Sequence, residues 1–216
     1  NVHGDTKFSD GDEIKSGTCI LSLSGKAHDI LRAERLLLNI LCHLSGIATF
    51  TAQMVKMTKS VNPEVEILAT RKTIPGIREL EKQAVVHGGG MTHRMRLDDA
   101  VLIKDNHLRL CKDIKTAVGR SRLRYPDLMI EVEADNSAQA LEVAKSGADR
   151  VMLDNFTVED AKKAVPDLRK ISNIEIEISG GVTADNIESY APFADFISLG
   201  SLTMAAPPVD FSLHVN

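Results

Sequence analysis

An α/β barrel, TIM-like but incomplete or irregular, preceded by part of an α/β sandwich is the fold class that the sequence predicts. Three observations predict it. After Pro63, six short β-branched or apolar runs alternate with longer segments of helical period, which implies a parallel sheet with its helices outside. No GxGxxG turn follows the first run, and this favours a closed barrel over an open dinucleotide-binding sheet. Before Pro63 the rhythm differs, with glycine-punctuated apolar pairs followed by one long apolar segment.

Taken in order, Asp10 to Gly25 carries Ile14, Gly17, Ile20, Leu21, Leu23 and Gly25, the pattern of a small antiparallel sheet. Asp29 is placed to cap a helix running through Ile30, Leu31, Leu36, Leu37, Ile40, Leu41 and Leu44, with Ser45-Gly46 interrupting it. Arg32, Arg35, Asn39 and His43 are spaced three, four and four, so they share one helix face, either solvated or meeting a ligand or neighbouring subunit. Strands are predicted over Val65 to Ala69, Val101 to Ile103, Leu128 to Val132, Arg150 to Leu153, Ile174 to Ile178 and Phe196 to Leu199. Helices are predicted over Ile77 to His87, Leu108 to Val118, Ser137 to Ser146, Val158 to Val165 and Ala184 to Tyr190. The division that follows is 1–60 for a partial sandwich with its linking helix, 61–206 for the barrel and 207–216 for a tail returning toward the sandwich. The chain opens on Asn1 rather than Met, and a preceding segment is expected.

Composition excludes several functions. With 26 Lys+Arg against 30 Asp+Glu, a net charge of −4 and 4% aromatic residues, the chain lacks the basic face and stacking platforms of a nucleic-acid binder. No run approaches the roughly 20 consecutive apolar residues of a membrane span, and the amino terminus has no signal-peptide pattern. A cytoplasmic protein is expected. Cys19, Cys42 and Cys111 are odd in number and widely spaced, which suggests buried or half-buried thiols rather than disulfides or a zinc site.

In a barrel of this kind chemistry gathers at the carboxyl ends of the strands. Those ends read Thr70-Arg71-Lys72, Lys104-Asp105-Asn106, Glu131 with Glu133, Asp154-Asn155, Ser179-Gly180-Gly181 and Gly200-Ser201. Arg71, Lys72, Lys104 and the His93-Arg94 pair after Gly88-Gly89-Gly90 offer five anion-binding groups, suited to carboxylate and phosphate oxygens. Glu131 and Glu133, two apart, share a strand face. With Asp154 they match the hard oxygen shell of Mg²⁺ or the hydroxyls of a ribose, or they balance the cations. The glycine-rich last two ends suit a phosphate monoester. Phosphoribosyl transfer fits such a set.

The motifs Ala69 to Arg78, Gly88 to Arg94 and Leu102 to His107 closely resemble the quinolinate phosphoribosyltransferase family. The resemblance continues through Asp10-Gly11-Asp12, Glu34-Arg35, Leu44 to Thr49, Glu131 to Glu133, Leu153 to Phe156, Ser179 to Gly181 and Leu199 to Ser201. It implies conversion of quinolinate and phosphoribosyl pyrophosphate to nicotinate mononucleotide, pyrophosphate and CO₂ in NAD biosynthesis, with Mg²⁺ as cofactor. It also implies quinolinate-binding roles for Arg71, His93, Arg94 and Lys104, with Arg35 contributed across a homodimer interface. Lys72, Lys104, Glu133, Asp154, Ser179, Gly180, Gly181, Gly200 and Ser201 would bind phosphoribosyl pyrophosphate. Glu133 and Asp154 would hold the metal, and Lys104, Glu133 and Asp154 would act in catalysis. Two departures stand out: relatives carry more chain before the Asp10-Gly11-Asp12 turn, and many have His where this chain has Met204. A lyase using Lys104 as a Schiff-base nucleophile on a phosphorylated sugar, or a transferase for another carboxylated base, are the alternatives.

Overall fold

The computed structural model describes residues 2–215. Strands β1 (Val2–Asp5) and β2 (Ser22–Gly25) pair antiparallel, and the segment between them is built of turns and extended chain. Helix α1 (Ala27–Val61) follows. Then come β3 (Glu66–Ala69), α2 (Arg78–His87), β4 (Val101–Ile103), α3 (Asp105–Leu108), α4 (Ile114–Arg124), β5 (Ile130–Ala134), α5 (Ser137–Ser146), β6 (Arg150–Asp154), α6 (Val158–Ile171), β7 (Glu175–Ser179), α7 (Ile187–Tyr190), β8 (Phe196–Leu199) and α8 (Ser201–Met204). The large sheet is parallel in the order β3-β8-β7-β6-β5-β4.

The sheet curls into a barrel, and one contact demonstrates it. Met91 adds a single bridge outside β3, with its N–H donating to Ile67 O at 2.8 Å and its carbonyl accepting from Ala69 N at 2.9 Å. His93, two residues later, reaches Glu131 on β5. In a flat sheet those positions would stand five strand spacings apart, roughly 24 Å. Among the described residues no ladder joins β3 to β4, so the ring is interrupted between Met91 and β4. The pleat sorts the strands: Ile130, Val132, Val151, Leu153, Ile176, Ile178 and Ile197 are buried in the hydrophobic core, while Glu131, Glu133, Arg150 and Glu177 are buried on the other face, inside the barrel.

Several elements depart from expectation for identifiable reasons. Helix α1 begins after Lys26, with Asp29 in its first turn rather than at its cap. It also runs through Ser45-Gly46. A Cβ on Gly46 would sit 2.3 Å from Pro207 O, so this glycine permits a close crossing instead of ending the helix, and Val209 N–H donates to Cys42 O at 3.1 Å alongside. The helix expected at Leu108 to Val118 is divided, because Asp113 Oδ1 accepts the Thr116 N–H at 2.6 Å and starts α4 afresh. Helix α6 continues past Pro166 to Ile171, where the fully buried Leu168 anchors its far end. Cys19 is exposed rather than buried, whereas Cys42 and Cys111 are half-buried. Among the described residues α1 alone is long and apolar enough to cross a membrane. Its apolar stretch is 22% buried, where α1 packs on α2, α7 and α8.

The tail crossing yields a stability prediction. Gly46→Val should force Pro207 and Pro208 off α1 and cost roughly 1–3 kcal/mol, as overpacking does elsewhere. Urea unfolding of the variant measures this, and an unchanged midpoint would show that the crossing contributes nothing.

Candidate active site

The carboxyl ends of the six strands open on one mouth. At its centre Lys104, just past β4, pairs through Nζ with Glu133 Oε2 on β5. The Lys104 N–H donates to His107 Nδ1 at 2.9 Å, fixing the turn into α3. Ligand oxygens of Glu133, Asp135 and Asp154 all lie within 4.8 Å of one another. Burial, and then the charge of Glu133, raises the Asp154 carboxyl above its ordinary range, with Lys104 and Lys72 opposing. Such crowding of carboxylates is what a hard divalent cation relieves.

Lys72 lies across the end of β8, its Cδ 3.0 Å from where a Cβ on Gly200 would stand. Thr203 Oγ1 donates to Lys72 O, and Lys72 N–H donates to Thr70 Oγ1 at 3.1 Å. At the end of β7, Gly180 has φ 78° and abuts Asn155, whose Oδ1 would be 2.3 Å from an added Cβ. Asn155, itself at φ 55°, donates from Nδ2 to Asp154 Oδ2 at 2.7 Å and from its backbone to Ser179 O at 2.8 Å. The Ser179 to Gly181 turn and Asp154 are therefore held as a unit.

One layer deeper, His93 enters the lumen. Its Nε2 lies 3.0 Å from Glu131 Oε2 and 3.3 Å from Glu177 Oε2, with side-chain exposures of 7%, 1% and 0% for the three residues. Burial opposes a charge on the imidazole, but the close approach of the Glu131 and Glu177 carboxylates outweighs it and raises the His93 pKa to about 9. Burial and the charge of Glu177 lift Glu131 to about 7. Burial would lift Glu177 too, yet His93 and Ser198 hold it below its usual value. The Arg94 N–H points at His93 Nδ1 from 2.6 Å, which ties the ring to the turn that carries it. Below this cluster Arg150 gives hydrogen bonds to Glu175 at 2.7 and 3.0 Å and to Glu177 at 3.4 Å, and stacks 3.7 Å from the Phe196 ring.

Beside the cluster stands a concentration of positive charge. Arg94 is partly buried, and burial and then Arg71 lower its pKa. Arg71 Nε is buried without a partner among the described residues. Arg35 is exposed on α1 and forms no ion pair among the described residues, so within one chain it does not join the mouth. His43 leaves the polar stripe to pair with Glu81 at 2.7 Å. Glu131 is a correction to the expected acid trio: residues two apart on a strand share a face but differ in depth by roughly 7 Å, so Glu131 serves His93. Asp135, beyond the end of β5, stands with Glu133 and Asp154 instead. Asp135 and Glu177 escaped the sequence reading, although the alternation in Glu175-Ile176-Glu177-Ile178 is a legible sign of an inward acid.

Comparison with known proteins finds relatives over nearly the whole chain. The family description "Quinolinate phosphoribosyl transferase, C-terminal domain" matches residues 47–214, and the corresponding N-terminal domain matches residues 1–45. A probable nicotinate-nucleotide pyrophosphorylase [carboxylating] of Methanothermobacter thermautotrophicus is 44% identical over 212 residues, covering 96% of this chain and 76% of that protein. The counterpart of the same name in Archaeoglobus fulgidus is 45% identical over 210 residues, covering 95% and 81%. The solved nicotinate-nucleotide pyrophosphorylase of Francisella tularensis superposes with a TM-score of 0.91 at 37% identity, covering 97% of this chain and 74% of that one.

The buried cluster has a pH signature. Because the folded His93 pKa of about 9 lies above imidazole's ordinary 6.5, its stabilisation is complete below about 6.5 and lost as pH rises through 9. Compared at matched pH by urea unfolding, His93→Gln should lose on the order of 2 kcal/mol at pH 6 and much less at pH 10. A pH-independent difference would refute the linkage.

Proposed function

The chain belongs to the quinolinate phosphoribosyltransferase family, and on that premise we propose how its residues divide the reaction. That reaction is transfer of the phosphoribosyl group of phosphoribosyl pyrophosphate to quinolinate, with loss of pyrophosphate and CO₂ and formation of nicotinate mononucleotide, in NAD biosynthesis. The observation that carries the assignment is the pairing of two charge fields at one mouth. A cationic field of Arg71, Arg94 and His93 adjoins an acidic field of Glu133, Asp135 and Asp154 bridged by Lys104.

In this reading the cationic field takes the two carboxylates of quinolinate. Planar guanidinium forks match carboxylate geometry, and the unpartnered Arg71 Nε supports a ligand at that position. Ser179 to Gly181 and Gly200-Ser201 cradle the 5-phosphate, with Lys72 lying over Gly200. Glu133 and Asp154 receive the ribose hydroxyls and stabilise positive charge at C1. Glu133, Asp154 and Asp135 form the oxygen set that would hold Mg²⁺, which when bound offsets the charge of the departing pyrophosphate.

The chemistry then needs little from the protein beyond positioning and electrostatics. The C1–O bond breaks in a dissociative displacement and its electron pair leaves with pyrophosphate. The pyridine nitrogen supplies the pair for the new N–C1 bond. When the adjacent carboxylate departs as CO₂, its bonding pair stays on the ring carbon, where the positive charge of the quaternised nitrogen stabilises it, and that carbon then takes a proton. No covalent enzyme intermediate is required. Lys104, engaged by Glu133, is poorly placed for the Schiff-base alternative.

Exposed Arg35 fits a homodimer in which it reaches the partner's quinolinate site. Beside its helix face Leu36 and Ile40 are 67% and 42% exposed, apolar surface of the kind an interface covers. A cytoplasmic location and the absence of nucleic-acid and membrane partners accord with the mildly acidic composition.

Incubation with quinolinate, phosphoribosyl pyrophosphate and Mg²⁺ should give nicotinate mononucleotide with stoichiometric CO₂; product from nicotinate instead would move the assignment to a non-carboxylating reaction. Arg94→Ala should weaken quinolinate binding at least roughly tenfold, the scale of a lost charge-assisted contact, and leave phosphoribosyl pyrophosphate binding nearly unchanged. Calorimetric titration with each ligand separates the two, and equal losses would contradict the assignment of Arg94.

A further inference from the structure

We propose that Lys82 is a positioning residue for quinolinate recognition, clamping from inside α2 the turn that presents His93 and Arg94. This rests on the reading of those two residues as carboxylate-binding groups. Lys82 is fully buried, and its ammonium donates to Thr92 O and, at 2.7 Å, to Arg94 O. These carbonyls flank His93, whose φ of 48° lies in the left-handed region. Such a conformation in a non-glycine residue persists only where its surroundings over-determine it. Lys82 supplies two of the restraints.

The charge environment shows that this lysine is not there for an ion pair. Among the described residues no carboxylate lies within salt-bridge distance of it. The charged groups facing it are Arg78 of its own helix, Arg71 of the β3–α2 loop, and Arg94 and Asp99 of the loop before β4. Burial, followed by Arg78 and Arg71, lowers its pKa to about 8 against the pull of Asp99. A fully buried lysine without a paired acid is rare, and an apolar side chain of similar length is the easier solution for folding alone.

The same helix turn restrains the other half of the cationic field. Glu81, also fully buried, accepts the Ile74 N–H at 3.0 Å. Arg78 donates to Thr73 Oγ1 at 3.0 Å, Met95 O at 3.3 Å and Arg71 O at 3.5 Å. The first turns of α2 thus hold both loops, the one bearing Arg71 and the one bearing His93 and Arg94. Their separation must match two carboxylates on adjacent ring carbons, and Lys82 sets the second loop's distance from the helix.

The test is steady-state kinetics of Lys82→Met with both substrates. The expected result is a quinolinate KM raised at least roughly tenfold, on the scale by which small misplacements of binding groups act. The KM for phosphoribosyl pyrophosphate should stay within about twofold, since its proposed cradle of Ser179 to Gly181, Gly200-Ser201 and Lys72 lies outside the 92–94 turn that Lys82 holds. Lys82→Gln, which keeps a neutral donor, should fall between Met and wild type. Unchanged quinolinate KM, parallel rises in both KM values, or failure of both variants to fold would each overturn the proposal. Wild-type protein that turns over no quinolinate would instead sink the underlying functional reading, and the proposal with it.

Discussion

Everything at the mouth depends on the period-two pleat of the parallel strands. One face of each strand feeds the hydrophobic layer under the helices, and the other must fill the barrel lumen. In this chain the lumen-facing positions are largely ionisable: Glu131 and Glu133 on β5, Arg150 and Asp154 on β6, Glu175 and Glu177 on β7. Buried charge is tolerated only in compensated groups. The lumen is therefore organised as a column, with Arg150 answering Glu175 and Glu177 at the bottom, His93 answering Glu131 and Glu177 in the middle, and Lys104 answering Glu133 at the top.

That column explains the break in the barrel. A regular seventh strand after α2 would point its side chains by alternation alone. Instead Met91 makes a single bridge, and the backbone then turns through φ 48° at His93. The turn drops the imidazole into the lumen and leaves Arg94 beside Arg71 at the rim. Irregularity here trades ladder hydrogen bonds for an inward cation that the two buried acids require.

Much of this was legible in the sequence, and the reasons for the remainder are physical. The strands were visible because they are short runs rich in β-branched and apolar residues, bounded by polar ends. Ser137 to Ser146 matched its helix because Asn136 and the apolar period agree. Gly46 misled because local propensity records the cost of glycine in a helix, while the reason for it, a crossing by Pro207, lies far along the chain. Depth was likewise invisible: Glu131 and Glu133 share a face, but only the assembled barrel shows that one meets His93 and the other Lys104. Lys82 was the hardest to see, since a lysine on an amphipathic helix ordinarily reads as solvated.

The two charge fields are stabilised by opposite means, and this bears on how the site behaves when a ligand enters. The acids have cations built into the chain: Lys104 beside Glu133, Arg150 beside Glu177. The rim cations Arg71, Arg78, Arg94 and Lys82 have mainly backbone carbonyls and one another, with Asp99 as the nearby acid. Their mutual repulsion is a standing cost in the free protein, and a dianion placed among them removes it in the low-dielectric setting where Coulomb terms are largest. If these cations take quinolinate, as proposed, affinity for a dicarboxylate is therefore built into the fold. The same field would discriminate against a monocarboxylate, which leaves part of the repulsion in place, so selectivity for two adjacent carboxylates follows from the protein's own unneutralised charge as much as from any contact made to the ligand.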